Sequence, residues 1–278
     1  MGFVSKHIER DSLLPKYRNE LLHKAVADLS SDPHVLAIYL HGSLAKGNED
    51  LYSDIDLHTI VNPEKKADFI MDKRNRSSNW GEVLFFEGNS TSPVIVTHFQ
   101  CFVKMDSWYH SPEEIEPSIW LNGIQVLYDP KNILNYVVKE SANIVYKPTP
   151  DEVEFWRGKV LALIHETYRA VMRGELYYAY FNVDRIRWLI AYGWYMEMEQ
   201  HLDTSYGVWS KVEGKRSKLS NHQLSLLESW DCSRNPNVIM KTIKYMIPEF
   251  YRLNKALSNL VNMNDNEEQI KKIVQLVI

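Results

Sequence analysis

Between His41 and Asp56 the chain reads HGSLAKGNEDLYSDID, with the apolar run HVLAIYL (34–40) before it and LHTIV (57–61) after it. Both runs have strand composition, so two strands are expected, the first ended by a Gly-Ser turn. On a strand, residues i and i+2 point to the same side. Asp54, Asp56 and His58 therefore face one way, and Ile55 and Leu57 face the other. Two adjacent carboxylates repel each other and are costly to take out of water. A cation relieves both costs. Hard divalent ions such as Mg²⁺ choose carboxylate oxygens and often share them with phosphates.

The Gly-Ser turn supplies the complementary half. Gly42 lets a bulky group approach the backbone. A short helix opening there would aim free N–H groups at an anion. Ser43 adds a hydroxyl donor, and Lys46 adds positive charge one turn on. Phosphate from one side and metal from the other is the arrangement that phosphoryl and nucleotidyl transfer needs. Each element alone has a plainer alternative, a simple turn and a solvated strand end. The specificity lies in their combination within strand–turn–strand context.

Outward from this stretch, apolar residues recur at three and four from about Leu13 to Ser30, which predicts a helix. GEVLFFEG (81–88) and VIVTHFQCFV (94–103) read as a hairpin across the turn cluster NSTSP, and WLNGIQVLYDP (120–130) as a last strand. The second half shows no convincing strand. Thr149, Pro150 and Glu152 form an expected capping box. VEFWRGKVLALIHETYRAVMRG (153–174) and the aromatic-rich 174–202 read as two helices, 235–261 as one or two more, and 264–278 as a short final helix. The expected organisation is an α/β domain with a small mixed sheet over 1–146 and an all-α domain over 147–278. The first carries 20 acidic and 14 basic residues, net −6; the second carries 16 and 18, net +2.

The bulk numbers set limits. The chain has 278 residues, 45% of them hydrophobic, and a net charge of −4. That is ordinary soluble composition with room for proper cores. The absence of a basic footprint argues against a nucleic-acid partner. Cys101 and Cys232 lie far apart with no zinc spacing, which fits a reducing compartment. The first residues hold no apolar core of signal-peptide length, and no apolar run reaches membrane-spanning length. A cytoplasmic protein without a membrane partner is expected.

Gly42-Ser43, ten residues, then Asp54-Ile55-Asp56 resembles the signature of the DNA polymerase β-like nucleotidyltransferase superfamily. YLHGSLAKGNEDLYSDIDLHTIV (39–61) is similar to the antibiotic nucleotidyltransferases of the kanamycin and lincosamide types. The likeness is strong over about thirty residues and loose over the rest, with VMRGELYYA (171–179) similar to the lincosamide type and ALIHET (162–167) to the kanamycin type. The resemblance implies an α/β catalytic domain followed by a helical acceptor-side domain. It implies Mg²⁺-dependent transfer of a nucleoside monophosphate, AMP from ATP, to a hydroxyl of a small molecule such as an antibiotic. A role in antibiotic resistance would follow. Gly42 and Ser43, with Lys46 and Ser53, would hold the nucleotide; Asp54 and Asp56 would bind the metal.

In the family a third carboxylate on a later strand completes the metal site. The matching strand here is read as VIVTHFQCF, where Val94, Val96, His98 and Gln100 share a face and none is acidic. His98 is expected at the acid's position, with Asp106 and Glu87 as substitutes; its plainer alternative is a self-satisfied strand histidine. Glu166 is the candidate general base, or else merely the partner of Arg169 on a solvated face. Glu175 is the second candidate. The rings of Tyr177, Tyr178, Tyr180, Trp188, Tyr192, Trp194 and Tyr195 either line a ligand pocket or build core. Asp184, Arg185 and Arg187 read as a structural charge cluster. Relatives of this layout are often dimers, so the resemblance admits a homodimer. Two other functions stay open: a nucleotide-binding protein without turnover, and a nucleotidyltransferase acting on protein or RNA.

Overall fold

The computed structural model describes residues 5–278. The chain divides into two compact units, one ending at Ile144 and the other running Val145–Ile278. Among the described residues no helix is long and apolar enough to cross a membrane.

The first unit runs α1 (Ile8–Ser12), α2 (Leu14–Ser30), β1 (Val35–His41), α3 (Gly42–Lys46), β2 (Ile55–Val61), α4 (Lys66–Ser78), β3 (Val83–Glu87), β4 (Val94–Phe99), β5 (Lys104–His110), β6 (Gln125–Tyr128) and α5 (Asn135–Ala142). The strands form one mixed sheet in the order β3-β4-β5-β2-β1-β6. Only β2 and β5 pair in parallel; the other four neighbours are antiparallel. This is the α/β class expected, followed by an all-helical second unit.

Burial explains the sheet's place. Ile38 and Leu40 of β1 join Ile55 and Leu57 of β2 in a core covered by Leu21, Ala25 and Leu29 of α2 and by Phe69 of α4. On the opposite face Ala37, Tyr39 and Ile60 pack with Ile124 and Leu134. β1 is thus covered on both sides, which is why it reads as an almost unbroken apolar run.

Two elements depart from the sequence reading. The strand expected over 94–103 ends at Phe99, where the chain reverses. Phe102 takes φ 67°, and the Phe99 amide donates to the Val103 carbonyl at 2.9 Å. The reversal starts β5, which the pattern had hidden. Its buried positions are Met105, Ser107 and Tyr109, and its other face carries Lys104, Asp106, Trp108 and His110. Neither face is plainly apolar. α4 is masked in the same way, because it buries Phe69, Lys73 and Ser77. The Lys73 ammonium donates to the carbonyls of Asn89 (2.7 Å), Ser90 (3.1 Å) and Ser92 (2.6 Å), closing the β3–β4 loop from beneath.

The second unit runs α6 (Pro150–Met172), α7 (Leu176–Glu197), α8 (Asn221–Ser229), α9 (Pro236–Leu260) and α10 (Glu267–Gln275). Thr149 caps α6 by accepting from the Glu152 amide. The Glu152 carboxylate turns away and accepts the hydroxyls of Tyr146 and Tyr192. α9 is one helix that continues through Pro248. Trp188, Trp194 and Tyr195 are core, whereas Tyr177 is 74% exposed. Trp156 donates to the Leu189 carbonyl at 2.7 Å, and Gly193 lets α7 approach Trp156 and Leu253 closely.

Candidate active site

β1 ends at His41, and Gly42 turns the chain with φ 71°. A side chain at Gly42 is excluded by a carboxylate. A Cβ there would stand 2.0 Å from Asp56 Oδ2. The bulky group that approaches this backbone within the protein is therefore Asp56 itself. Ser43 follows, buried, in α3. Lys46 lies exposed at the other end of α3, with its stem running past Gly123.

Asp56 sits opposite His41 on β1 and opposite Asp106 on β5. Parallel pairing in register thus brings together two residues fifty positions apart. Asp54 precedes β2 on the same side. One carboxylate oxygen from each of Asp54, Asp56 and Asp106 lies within 4.8 Å of the others. The third carboxylate is Asp106, on the strand that the sequence hid. His98 lies one strand further out, opposite Lys104. There it meets Glu87 at 2.5 Å and stacks on Phe85, outside the carboxylate group. The expected His98 ligand is thereby corrected. The reason is the intervening strand: β4 does not touch β2.

Lys104 Nζ stands 2.7 Å from Asp54 Oδ2 and 3.2 Å from Asp106 Oδ1. Burial lowers the affinity of this ammonium for its proton, but the two carboxylates outweigh it and hold Lys104 above the ordinary lysine range. At Asp106 burial wins, pushing its carboxyl above the usual aspartate value against the pull of Lys104. Asp106 Oδ1 is buried, with the Lys104 ammonium beside it. Three clustered carboxylate ligands, sharing one ammonium, fit a hard divalent cation.

The loop carrying Asp54 is fixed from below. Buried Arg18 donates to the carbonyls of Asp50 and Ser53 at 3.1 and 3.0 Å. The Ser53 hydroxyl accepts from the Asp50 amide at 2.9 Å, so this expected nucleotide contact is engaged in the turn itself. Tyr52 donates to Asp11 at 3.0 Å. Beside the carboxylates on the same sheet face, His58 stacks between Tyr39 and the parallel rings of Trp108 and His110. His58 and His110 share a 2.9 Å hydrogen bond. Arg18, Lys104 and this ring stack escaped sequence reasoning, since each acts across distant segments. The alternation of Asp106 with Met105 and Ser107 was the only available signal.

Glu166 lies in the helical unit. Arg173 and Arg169 hold its carboxylate below the usual glutamate range, at 2.9 and 3.3 Å. That direction opposes a general base, which gains from a raised value. Arg173 also meets Glu175 at 3.1 Å.

Residues 24–93 match the protein family described as Polymerase beta, Nucleotidyltransferase. The matched stretch contains Gly42, Ser43, Asp54 and Asp56 and ends before β5. Among solved structures the chain is similar to an aminoglycoside 6-adenyltransferase from Bacillus subtilis, with 14% identity over 92% of this chain and 96% of the other at a TM-score of 0.45. It is also similar to a nucleotidyltransferase-like protein from Exiguobacterium sibiricum, with 10% identity over 85% and 75% at a TM-score of 0.43. No curated protein sequence matches the chain.

Proposed function

We propose that this protein transfers a nucleoside monophosphate, AMP from ATP, to a hydroxyl of a small molecule, with antibiotics as the leading acceptor class. The observation that carries the proposal is the packing of Gly42 against Asp56 beside Asp54 and Asp106, which joins the phosphate-holding turn to the carboxylates.

Asp54, Asp56 and Asp106 would hold Mg²⁺. When bound, the ion supplies charge neutralisation at the phosphates and makes the acceptor hydroxyl more acidic. The Gly42-Ser43 backbone and the Ser43 hydroxyl orient the triphosphate, with Lys46 adding charge. The acceptor oxygen bonds to the α-phosphorus as the bond to the β-phosphate bridging oxygen breaks, and pyrophosphate leaves. Asp106, beside the reacting centre, would take the hydroxyl proton as the acceptor attacks. Lys104 keeps the neighbouring carboxylates together by offsetting their charge.

The third carboxylate of the group, Asp106, supports turnover over mere nucleotide binding. The test is incubation with ATP, Mg²⁺ and pooled hydroxylated antibiotics, following pyrophosphate and product mass. An acceptor heavier by one AMP is expected. Labelling of a protein or RNA band instead would move the acceptor to that class.

A further inference from the structure

A cavity of about 320 Å³ opens beside Asp54 and Lys104 in the first unit. Leu14, Leu51, Tyr52, Leu84, Phe85 and Phe102 supply its apolar wall. Its size falls within the range of small-molecule sites. Leu84, Phe85, Phe102 and Tyr52 are each about half exposed or more, so the wall presents ring and methyl surface to solvent next to the carboxylates.

The position of the cavity says which reactant it takes. In an in-line displacement the attacking and leaving oxygens stand on opposite sides of the phosphorus. The Gly42-Ser43 turn follows β1, which flanks β2 on one side; β5, β4 and β3 flank it on the other. Lys104, His98 and Phe85 place the cavity on that second side, across the carboxylates from the phosphate turn.

Its charge says what kind of reactant. The charged lining groups are Asp54 and Lys104, which pair with each other at 2.7 Å. Glu87 is held by His98. At the rim the Arg10 guanidinium lies 4.0 Å over the Phe102 ring. Arg10 is paired with Asp11 at 2.6 Å and the lining's one carboxylate, Asp54, with Lys104, so the wall offers a polycation no unpaired carboxylate, while an apolar body would bury its surface against rings and methyls.

Resting on nucleotidyl transfer as the reaction, we propose that this cavity is the acceptor site and that its acceptor is a neutral or singly charged alcohol with an aromatic or branched apolar body, not a polycationic aminoglycoside.

The test pairs binding with turnover. Saturation-transfer NMR would use phenylbutanol as a neutral aryl alcohol probe with wild-type protein, Leu84→Glu and Leu51→Glu. Both positions are on the surface, and two variants guard against a folding defect in one. Transfer from MgATP would then be scored against apolar hydroxylated antibiotics and against aminoglycosides. The expected result is probe signal with wild type, at least tenfold weaker affinity in both variants, and modification confined to the apolar pool with KM raised at least tenfold by each variant. Equal probe binding by wild type and both variants, or preferred modification of aminoglycosides, would overturn the assignment of the cavity while leaving nucleotidyl transfer standing. Failure of the wild-type protein to bind MgATP would instead bring down the transfer reaction and the acceptor site with it.

Discussion

Asp56 Oδ2 occupies the space that a Gly42 side chain would need, 2.0 Å from where its Cβ would stand. The turn and the carboxylate are therefore one fitted unit. Gly42→Ala must move Asp56, the turn or both, and also strains a φ of 71°. Displacements of about 1 Å in a catalytic group cost on the order of 10²-fold in rate. Gly42→Ala should lose at least that much kcat/KM while the protein remains folded by circular dichroism. Unchanged turnover would show that the contact between turn and carboxylate is dispensable.

Asp106 and His98 make opposed predictions. Asp106→Asn removes one of the three clustered carboxylates and should cut pyrophosphate release by about 10³-fold, the order seen when a major electrostatic group is removed. His98→Gln alters the pair with Glu87 and the cavity wall, so it should raise the acceptor KM while leaving kcat within about threefold. The reverse ranking would return His98 to the metal site.

Lys104 sits where a cation neutralises Asp54 and Asp106. Lys104→Met leaves those carboxylates to repel each other. The apo variant should melt below the wild type near pH 7, and Mg²⁺ should raise its melting temperature more than it raises that of the wild type. Equal responses to Mg²⁺ would place the ion elsewhere.

His58 and His110 predict a pH dependence of stability. Burial, then the neighbouring His110 and His41, holds His58 well below its ordinary 6.5, and burial likewise lowers His110. Below that value the unfolded chain binds protons that the folded chain refuses. Stability is then full above pH 6.5 and falls with decreasing pH toward the folded values, at about 1.4 kcal/mol per histidine per pH unit. The melting temperature should drop by about 5 °C between roughly pH 7.5 and 5.5. His110→Gln should flatten that slope; an unaltered slope would assign it to other groups.

Lys73 is buried beneath the β3–β4 loop and donates to three carbonyls. Lys73→Met would leave those acceptors without their donor and should destabilise the protein by about 2–3 kcal/mol in urea melts. A loss below about 0.5 kcal/mol would show that water replaces the ammonium there.

The parts of the site that lay close together in sequence were legible in it. Gly42, Ser43, Asp54 and Asp56 fall within one strand–turn–strand segment, and the alternation of Asp54, Ile55, Asp56 and Leu57 dictates their faces. Asp106 was legible only as a substitute because β5 buries Ser107 among Met105 and Tyr109, and no apolar rhythm marks it as a strand. Its pairing with β2 is a tertiary fact that no local pattern contains. α4 escaped for the same reason, with Lys73 and Ser77 where an apolar stripe would be sought. The pairing of Glu166 with Arg169 was legible in their spacing; Arg173, a further turn on, completes the neutralisation. The helical second half was easier, since its stripes are long and apolar.

The parallel pairing of β2 with β5 also divides the sheet into two antiparallel trios, β6-β1-β2 and β3-β4-β5. The β1–β2 pair and the β3-β4-β5 trio close short loops, whereas the seam joins Asp56 to Asp106 across half a hundred positions through the weaker ladder geometry, and β6 returns to β1 from further along the chain still. The seam thus joins two locally closed parts of the sheet, and carboxylates from both sides meet on it. A cation gripping Asp56 and Asp106 together would act as a rivet across that seam, slowing unfolding as well as serving the chemistry.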